Sequence, residues 1–531
     1  DWPNARYLVE ACNASGCTTS NEMNAVNSSV SAIGYFKASN SDANDFFGYS
    51  VAISGDGKTL AVSARLEDSN ATTINGDETN QGTTNSGAVY VYRLAEDSTW
   101  AKDVYIKGSK LSASDLFGWD VDLSRDGNTL AVSAPQDELT TTNSGVVYIF
   151  TRDSTGTWIE KTILEAATGD ANDGFGQSIS LTANGDKLLV GAPNEDSDIT
   201  TVLSDFTGVT INNNKSSSGA AYLFSRNADG SWSVSAYFKA AVTDVGDGFG
   251  NAVDISADGT TLVIGASGED SKATALGGNT NDNGATESGA AYVFKYEAGA
   301  WVQKTFLKAS NAEGGRSSFI GPTGDLFGYD VSISGNGNVI VVSAIGEQST
   351  SSFYLADQNN NAFEKTGAVY VFEKIILNNW EQTKYIKASN SISAIYFSLY
   401  GVPGDNFGTS ISISNDGSFL AVGTPGEDGN SMSVNGDDTD NSLIQSGAVH
   451  TYKKDATGNW TFGSYLKSSN PDGNFSLSSS IYGDGFGNAV ALNDNGDKLA
   501  VSAFQESSDA NIINGDLTDN SAIWAGAVYL Y

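Results

Sequence analysis

The chain has 531 residues, of which 39% are hydrophobic and 10% aromatic, and this composition excludes a disordered acidic tail. Its 28 Lys and Arg stand against 63 Asp and Glu, and the formal charge of −35 argues against a nucleic-acid partner, because such a surface repels phosphate. No apolar run is long enough to form a membrane-spanning helix, so no transmembrane segment is expected.

Residues 1–30 match nothing later in the chain and are predicted to form an N-terminal arm. The arm carries the two cysteines of the chain, Cys12 and Cys17, five positions apart. In an oxidising compartment such a pair closes a small loop, so a disulfide is predicted, with two free thiols as the alternative.

From residue 31 onward one pattern recurs seven times. Each unit opens on a Phe-Gly pair, and the seven phenylalanines are Phe47, Phe117, Phe175, Phe249, Phe327, Phe407 and Phe486. The pair begins a segment in which apolar and polar residues alternate (strand A). A tight turn leads to a short apolar run (strand B), then a polar loop to a Gly-Ala-Val-Tyr-like segment (strand C), and a Trp with Tyr-Ile-Lys ends the unit (strand D).

Four strands in each of seven units, with almost no helical pattern, predict an all-β fold: a seven-bladed β-propeller of four-stranded blades. The last unit ends at Tyr531 without a strand D, whereas Tyr35–Ser39 is a strand D that precedes the first unit. We therefore expect this N-terminal segment to be the outer strand of the last blade and to close the ring over residues 31–531.

The Phe-Gly pairs combine with Gly-Ala-Pro-like triplets, as in Gly191-Ala192-Pro193, and with Gly-Ala-Val-Tyr segments. This combination resembles the FG-GAP repeat of the integrin α-chain N-terminal propeller and of many bacterial surface and secreted proteins. The resemblance covers about residues 31–531 and implies a propeller at the cell surface or in the extracellular space. The integrin calcium loop is missing, because each A–B turn here offers only one or two acids, too few to complete a Ca²⁺ shell.

The B–C and D–A loops are long and share one face, so a binding site is predicted on that face. An acid recurs three residues beyond the end of strand B in every unit: Glu67, Asp137, Glu195, Glu269, Glu347, Glu427 and Glu506. These carboxylates would form a ring at one mouth of the central channel. Alternatively, each accepts backbone N–H groups and holds its own loop.

Several B–C loops combine Asn, Gly, Asp and Thr, and their oxygens would suit Ca²⁺. The candidate ligands are Asp77, Asn80, Asp282, Asp437, Asp438, Asp440, Asp516 and Asp519. The alternative is that these side chains form Asx turns with the backbone of their own loops. No cofactor is required by the sequence, and calcium is the one ion these loops suggest.

The expected function is extracellular, non-catalytic adhesion or recognition through the loop-rich face, with a protein or glycan at the cell surface, or a further copy of the chain, as partner. Two alternatives are a filament or surface-layer subunit that assembles through the arm, and a carbohydrate-binding lectin. An enzyme is not expected, because the lone His450 occupies a position where other units have tyrosine and no catalytic set can be assembled around it.

Overall fold

The computed structural model describes residues 32–139, 141–167, 169–204, 211–274, 276–315, 324–349, 365–375, 379–390, 404–473 and 483–531, and the backbone alone of 6–7, 10–13, 16–19 and 23–24. The arm contains two short two-stranded sheets. Strand β1 (Arg6–Tyr7) pairs with β4 (Met23–Asn24), and β2 (Glu10–Asn13) pairs with β3 (Gly16–Thr19). The β2–β3 hairpin sets Cys12 opposite Cys17 in backbone register. The disulfide depends on side chains outside the described residues and stays a prediction.

The rest of the described chain is a propeller of seven antiparallel four-stranded sheets, as predicted. The first three blades consist of β6 (Phe47–Ile53), β7 (Thr59–Ala64), β8 (Ala88–Leu94) and β9 (Trp100–Ile106); β10 (Val121–Leu123), β11 (Thr129–Ala134), β12 (Val146–Arg152) and β13 (Trp158–Glu165); and β14 (Ile179–Leu181), β15 (Lys187–Ala192), β16 (Ala220–Arg226) and β17 (Trp232–Phe238).

Blades 4, 5 and 6 repeat this order with β18 (Val253–Ile255), β19 (Thr261–Ala266), β20 (Ala290–Glu297) and β21 (Ala300–Leu307); β22 (Phe327–Ile333), β23 (Val339–Ala344), β24 (Ala368–Lys374) and β25 (Trp380–Ile386); and β26 (Ile411–Ile413), β27 (Phe419–Thr424), β28 (Ala448–Lys454) and β29 (Trp460–Leu466). Within the ranges above there is no helix, and so none that could cross a membrane.

Blade 7 closes the ring as expected. Strands β30 (Val490–Leu492), β31 (Leu499–Ala503) and β32 (Ala527–Leu530) come from the end of the chain, and the outer strand is β5 (Gly34–Phe36). Tyr35 lies opposite Tyr529 in this pairing. The edge that β32 would otherwise expose is thereby paired.

The core lies between neighbouring blades. One cluster packs Val89 and Ile106 of blade 1 against Phe117, Val132 and Tyr148 of blade 2, all at most 4% exposed. The repeated phenylalanines are fully buried in all seven units. The glycine that follows is required by close backbone contact: Gly250 has φ +96°, and a Cβ there would lie 2.2 Å from the Ala220 carbonyl oxygen.

The two faces of the ring differ. On the A–B face, consecutive turns hydrogen-bond to each other around the channel, for example Gly55 N to Arg125 O at 2.9 Å and Asp494 N to Gly55 O at 3.2 Å. On the opposite face, strand A enters each blade, and the B–C and D–A loops surround the channel. The second residue after each repeated phenylalanine therefore lies at this mouth of the channel.

Candidate functional site

The seven acids predicted at the binding face are buried inside their own blades, at most 4% exposed. Six of them pair with the lysine that follows strand D: Glu67–Lys107 (2.9 Å), Glu195–Lys239 (2.7 Å), Glu269–Lys308 (2.8 Å), Glu347–Lys387 (2.7 Å), Glu427–Lys467 (2.8 Å) and Glu506–Lys37 (2.9 Å). Their oxygens also accept hydrogen bonds from the B–C loop, as from Gly429 N to Glu427 at 3.0 Å. The geometry matches the loop-holding interpretation, and the structure offers no open ring of carboxylates among the described residues.

Blade 2 is the exception. Glu165 stands where the other blades have the lysine, and the acid is Asp137 instead of Glu. Asp137 accepts a hydrogen bond from the Tyr148 hydroxyl at 2.5 Å. Burial raises the pKa of Asp137 to about 7, although the hydrogen bond from Tyr148 opposes the shift.

The candidate calcium ligands form turns within their own loops. Asp77 accepts the backbone N–H and the hydroxyl of Thr79 at 3.0 and 2.7 Å, and Asp437 and Asp516 do the same with Thr439 and Thr518. Three others behave similarly, because Asp282 accepts from Gly284 N, Asp440 from Ser442 N and Asp519 from Ser521 N, and Asn80 accepts from Asn70 N across its loop. Asp438 differs, since it accepts the hydroxyl of Ser389, which follows the outer strand of blade 5. Across the described part of the chain, no three acids, histidines or cysteines converge as a metal site would require. Calcium binding stays a prediction.

A different set of side chains meets at the mouth of the channel. The Arg65 guanidinium lies 3.8 Å from the centre of the Tyr49 ring and 4.7 Å from that of Trp119, and Phe46 lies further out at 5.8 Å. Tyr49 and Trp119 lie 5.4 Å apart on neighbouring blades. Tyr329, on the first strand of blade 5, is 39% exposed. The mouth thus combines a stacked cation with aromatic surface.

Arg65 makes no hydrogen bond or ion pair with any described residue, and its Nε is buried without an acceptor. This is unusual in a chain with an excess of acids, because a buried donor normally finds a partner. Burial lowers the pKa of Arg65, and Tyr49 opposes that shift; the guanidinium nevertheless stays charged. Its N–H groups are therefore available to an anion that reaches the mouth.

Further into the channel from the mouth, acidic side chains line the channel wall. Asp120 accepts the Ser50 hydroxyl at 3.0 Å and the Ile179 N–H of the next blade at 2.9 Å. Burial raises the pKa of Asp120 to about 6, against the opposing effect of these hydrogen bonds. Burial also raises the pKa of Tyr49, and in addition Arg65 lowers it and Asp120 raises it.

His450 is not part of this site. It is fully buried, 5.5 Å from the Phe407 ring and 5.4 Å from that of Tyr465, and burial lowers its pKa to about 4. A neutral imidazole inside a blade is a packing residue, as the sequence indicated.

A concavity of about 510 Å³ lies elsewhere, on the rim between blades 3 and 4. Its charged groups already satisfy each other: Lys215 pairs with Asp244 at 2.8 Å, and Asn214 donates to Asp198 at 2.9 Å. It leaves no unpartnered donor comparable to Arg65 among the residues described, so the channel mouth is the better candidate.

No motif of the sequence indicated Arg65, Tyr49, Trp119 or Asp120 as site residues. The signal that could have found them is departure from the repeat. The residue after strand B is Arg65 in blade 1, and its counterparts are Pro135, Pro193, Ser267, Ile345, Pro425 and Phe504.

Comparison with known proteins supports the repeat assignment. The FG-GAP repeat family matches residues 34–92, 100–150 and 158–224. The chain therefore carries FG-GAP repeats and folds as a seven-bladed propeller, and the resemblance predicted from its motifs is confirmed at this level. A search of curated proteins gives no match.

The solved structures that are similar to the chain include three proteins described below. A protein from Lactobacillus plantarum is 10% identical, with a TM-score of 0.43 over 79% of this chain and 85% of that chain. A putative 6-phosphogluconolactonase from Bacteroides uniformis is 9% identical, with a TM-score of 0.41 and the same coverage. The periplasmic gluconolactonase PpgL of Pseudomonas aeruginosa is 11% identical, with a TM-score of 0.42 over 88% of this chain and 93% of that chain.

These neighbours correct the functional expectation. Two of them are named as lactonases, whereas the sequence predicted a non-catalytic adhesion module and no enzyme. The prediction of a non-catalytic adhesion module is therefore corrected. At 9–11% identity the likeness concerns the fold alone, so an activity has to be argued from the site.

Proposed function

We propose that this protein is a hydrolase that opens a sugar-acid lactone at the channel mouth and holds the carboxylate of the resulting hydroxy acid there. The observation that carries the proposal is Arg65, a stacked guanidinium without a hydrogen-bond acceptor among the described residues. Burial raises the pKa of Asp120 to about 6, and its carboxylate accepts the hydroxyl of Ser50, the residue that follows Tyr49, at 3.0 Å.

Binding would rely on two properties of the mouth. The Tyr49 and Trp119 rings hold the guanidinium plane, a contact worth about 0.5–2 kcal/mol, and leave its N–H edge free for a carboxylate, phosphate or carbonyl oxygen. The net charge of −35 repels anions at long range. Physiological salt screens exposed charges beyond about 8 Å, so the nearby guanidinium dominates at the site.

The chemistry would be ester hydrolysis by water. The Asp120 carboxylate takes a proton from water, whose oxygen bonds to the carbonyl carbon of the lactone. Arg65 stabilises the negative charge that develops on the carbonyl oxygen. The bond between the carbonyl carbon and the ring oxygen then breaks, and Asp120 returns the proton to the departing oxygen, leaving an open hydroxy acid.

The proposal includes a location outside the cytoplasm. It is supported by Cys12 and Cys17, which face each other across a hairpin, a spacing that favours a disulfide in an oxidising compartment. A surface protein, a glycan or another copy of the chain as a stable partner remains a prediction.

The test is hydrolysis of glucono-δ-lactone and 6-phosphogluconolactone, monitored by proton release; the names of the two neighbours select these first compounds. Arg65→Ala should lower kcat/KM about ten- to hundredfold, the value of one charge-assisted hydrogen bond. Arg226→Ala, on the outer part of blade 3, is the control and should not change it. The proposal would be contradicted if the Arg65→Ala variant hydrolysed both lactones at the wild-type rate. It would also be contradicted if the wild-type protein hydrolysed neither lactone.

A further inference from the structure

The seam between blades 7 and 1 carries a row of aromatic rings that starts at the channel mouth. Phe504 follows the second strand of blade 7, and its ring lies 6.1 Å from that of Tyr49 and 5.3 Å from that of Phe46. Phe46 in turn lies 5.9 Å from Trp524, in the B–C loop of blade 7. The rings of Phe46, Phe504 and Trp524 are half-buried, so each keeps part of its surface in water.

This row is peculiar to one seam of the ring. At the position of Trp524 the other blades have polar residues: Asn85, Asn143, Ser217, Glu287, Lys365 and Gln445. At the position of Phe46 the other blades have Leu116, Gly174, Gly248, Leu326, Asn406 and Gly485. Elsewhere in the described chain, no seam combines aromatic residues at all three equivalent positions.

Two of these aromatic residues have an unfavourable backbone conformation. Phe46 and Trp524 each have φ +58°, in the left-handed region that favours glycine or asparagine. The same positions of the other blades also have positive φ, for example Leu116 (φ +58°) and Lys365 (φ +55°). The left-handed conformation therefore belongs to the repeat, and it is the aromatic side chains that are peculiar to this seam.

The Trp524 indole also lacks a hydrogen bond. Its Nε1 is buried without an acceptor among the described residues. By contrast, the indoles of Trp119, Trp158 and Trp460 donate to Gln177 O, Asp103 and Glu373. The fold therefore gains nothing from the polar atom of Trp524, and the aromatic surface is what distinguishes this position from its polar counterparts.

We infer that Phe46, Phe504 and Trp524 form a second subsite that binds a further sugar ring attached to the acid held at Arg65. This inference rests on the proposed function, because the row is continuous with the Arg65 site: Phe46 lies 5.8 Å from the guanidinium. Aromatic side chains with a few polar groups are the usual lining of such sites. The substrate class is then a glycosylated sugar acid or its lactone.

The test compares two probes by calorimetry: gluconate, which has the acid alone, and lactobionate, which adds a galactose ring to it. Wild-type protein should bind lactobionate roughly tenfold more tightly than gluconate, as expected for stacking on one or two rings. Trp524→Asn introduces the residue that blades 1 and 2 use at this position, so the loop should keep its conformation. The Trp524→Asn variant should lose the preference for lactobionate over gluconate, and its affinity for gluconate should stay unchanged.

The outcomes separate the two proposals. Phe46→Gly, which introduces the residue found at Gly174 and Gly248, is the second variant and should also abolish the preference for lactobionate over gluconate; Tyr296→Ala, which removes a 44% exposed ring from blade 4, is the control. Equal affinity of wild-type protein for both acids, or a preference that survives Trp524→Asn, would overturn the second subsite. Absence of gluconate binding, or gluconate binding that persists in Arg65→Ala, would instead count against the proposed function.

Discussion

Six lysine–glutamate pairs, one in each blade except blade 2, place full charges where side chains are at most 5% exposed. In blade 6, Lys467 donates to Glu427 at 2.8 Å and to the Ser446 hydroxyl at 2.6 Å. Burial raises the pKa of Glu427, but Lys467 and the Tyr465 hydroxyl lower it by more. The carboxylate thus joins strand D to the B–C loop through charged contacts.

Removing one partner should leave a buried charge unpaired. Lys467→Met is expected to lower the free energy of unfolding by about 3–5 kcal/mol, measured by chemical denaturation. Lys304→Met is the matched control: its pair with Glu297 is 38% and 49% exposed, so a loss below about 1 kcal/mol is expected. Equal losses in the two variants would show that the buried pair does not hold the blade together.

Asp120 should give the hydrolase its pH dependence. Its pKa is raised to about 6 by burial, and a general base acts only when deprotonated. The value of kcat/KM should therefore rise as pH increases through about 6 and become constant above it. Asp120→Asn should lower kcat/KM by about 10²–10⁴.

Asp254→Asn is the control for this effect. Asp254 also has a pKa raised to about 6 by burial and accepts the next blade's N–H, from Ile333, but it lies further along strand A from the mouth. The Asp254→Asn variant should keep the wild-type pH dependence of kcat/KM. A flat profile for wild-type protein, or the same loss in both variants, would exclude Asp120 as the base.

The closing strand β5 is the element on which the ring depends. Tyr35 donates to or accepts from the Ser508 hydroxyl at 2.5 Å, and Lys37 pairs with Glu506 at 2.9 Å, so these contacts add to the strand pairing that holds blade 7. Deleting residues 1–39 should lower the melting temperature and expose the edge of β32 to self-association. Deleting residues 1–30 leaves β5 in place and should change neither property; an equal effect of both deletions would contradict this account.

The sequence predicted the elements well because each blade repeats them. Seven blades follow from the alternation of apolar and polar residues in strand A and from the glycine before strand C. The closure of the ring follows from the strand at Tyr35, which precedes the first unit. Repetition also concealed the site. Seven equivalent acids looked like a ring at the mouth, but six of them pair with a lysine about forty positions further along the chain or, for Glu506, with Lys37 at the other end of the chain.

The candidate site could not be predicted from the repeat. Arg65, Tyr49 and Asp120 come from different turns and strands of two blades, and each occupies a position that varies between units. Their proximity results from the packing of blade 1 against blade 2, which the spacing within one unit does not determine. The residues that differ between blades define the site, and those that repeat define the scaffold.

For the molecule as a whole, calcium remains a testable prediction. If the Asp-rich B–C loops bind Ca²⁺, EDTA should lower the melting temperature and added Ca²⁺ should restore it, because a ligand of the folded state stabilises that state. Asp437→Asn, which should weaken one loop, would reduce the shift. An identical melting temperature with and without chelator would exclude the ion and leave the Asx turns as the whole role of these residues.

The central claim is that the channel mouth binds a small organic anion through Arg65. A crystal structure of the protein with gluconate bound tests it most directly. We expect the carboxylate on the Arg65 guanidinium, with the sugar chain beside Tyr49 and Trp119 and within reach of Asp120. Gluconate bound on another part of the propeller, with Arg65 still lacking an acceptor, would contradict the account.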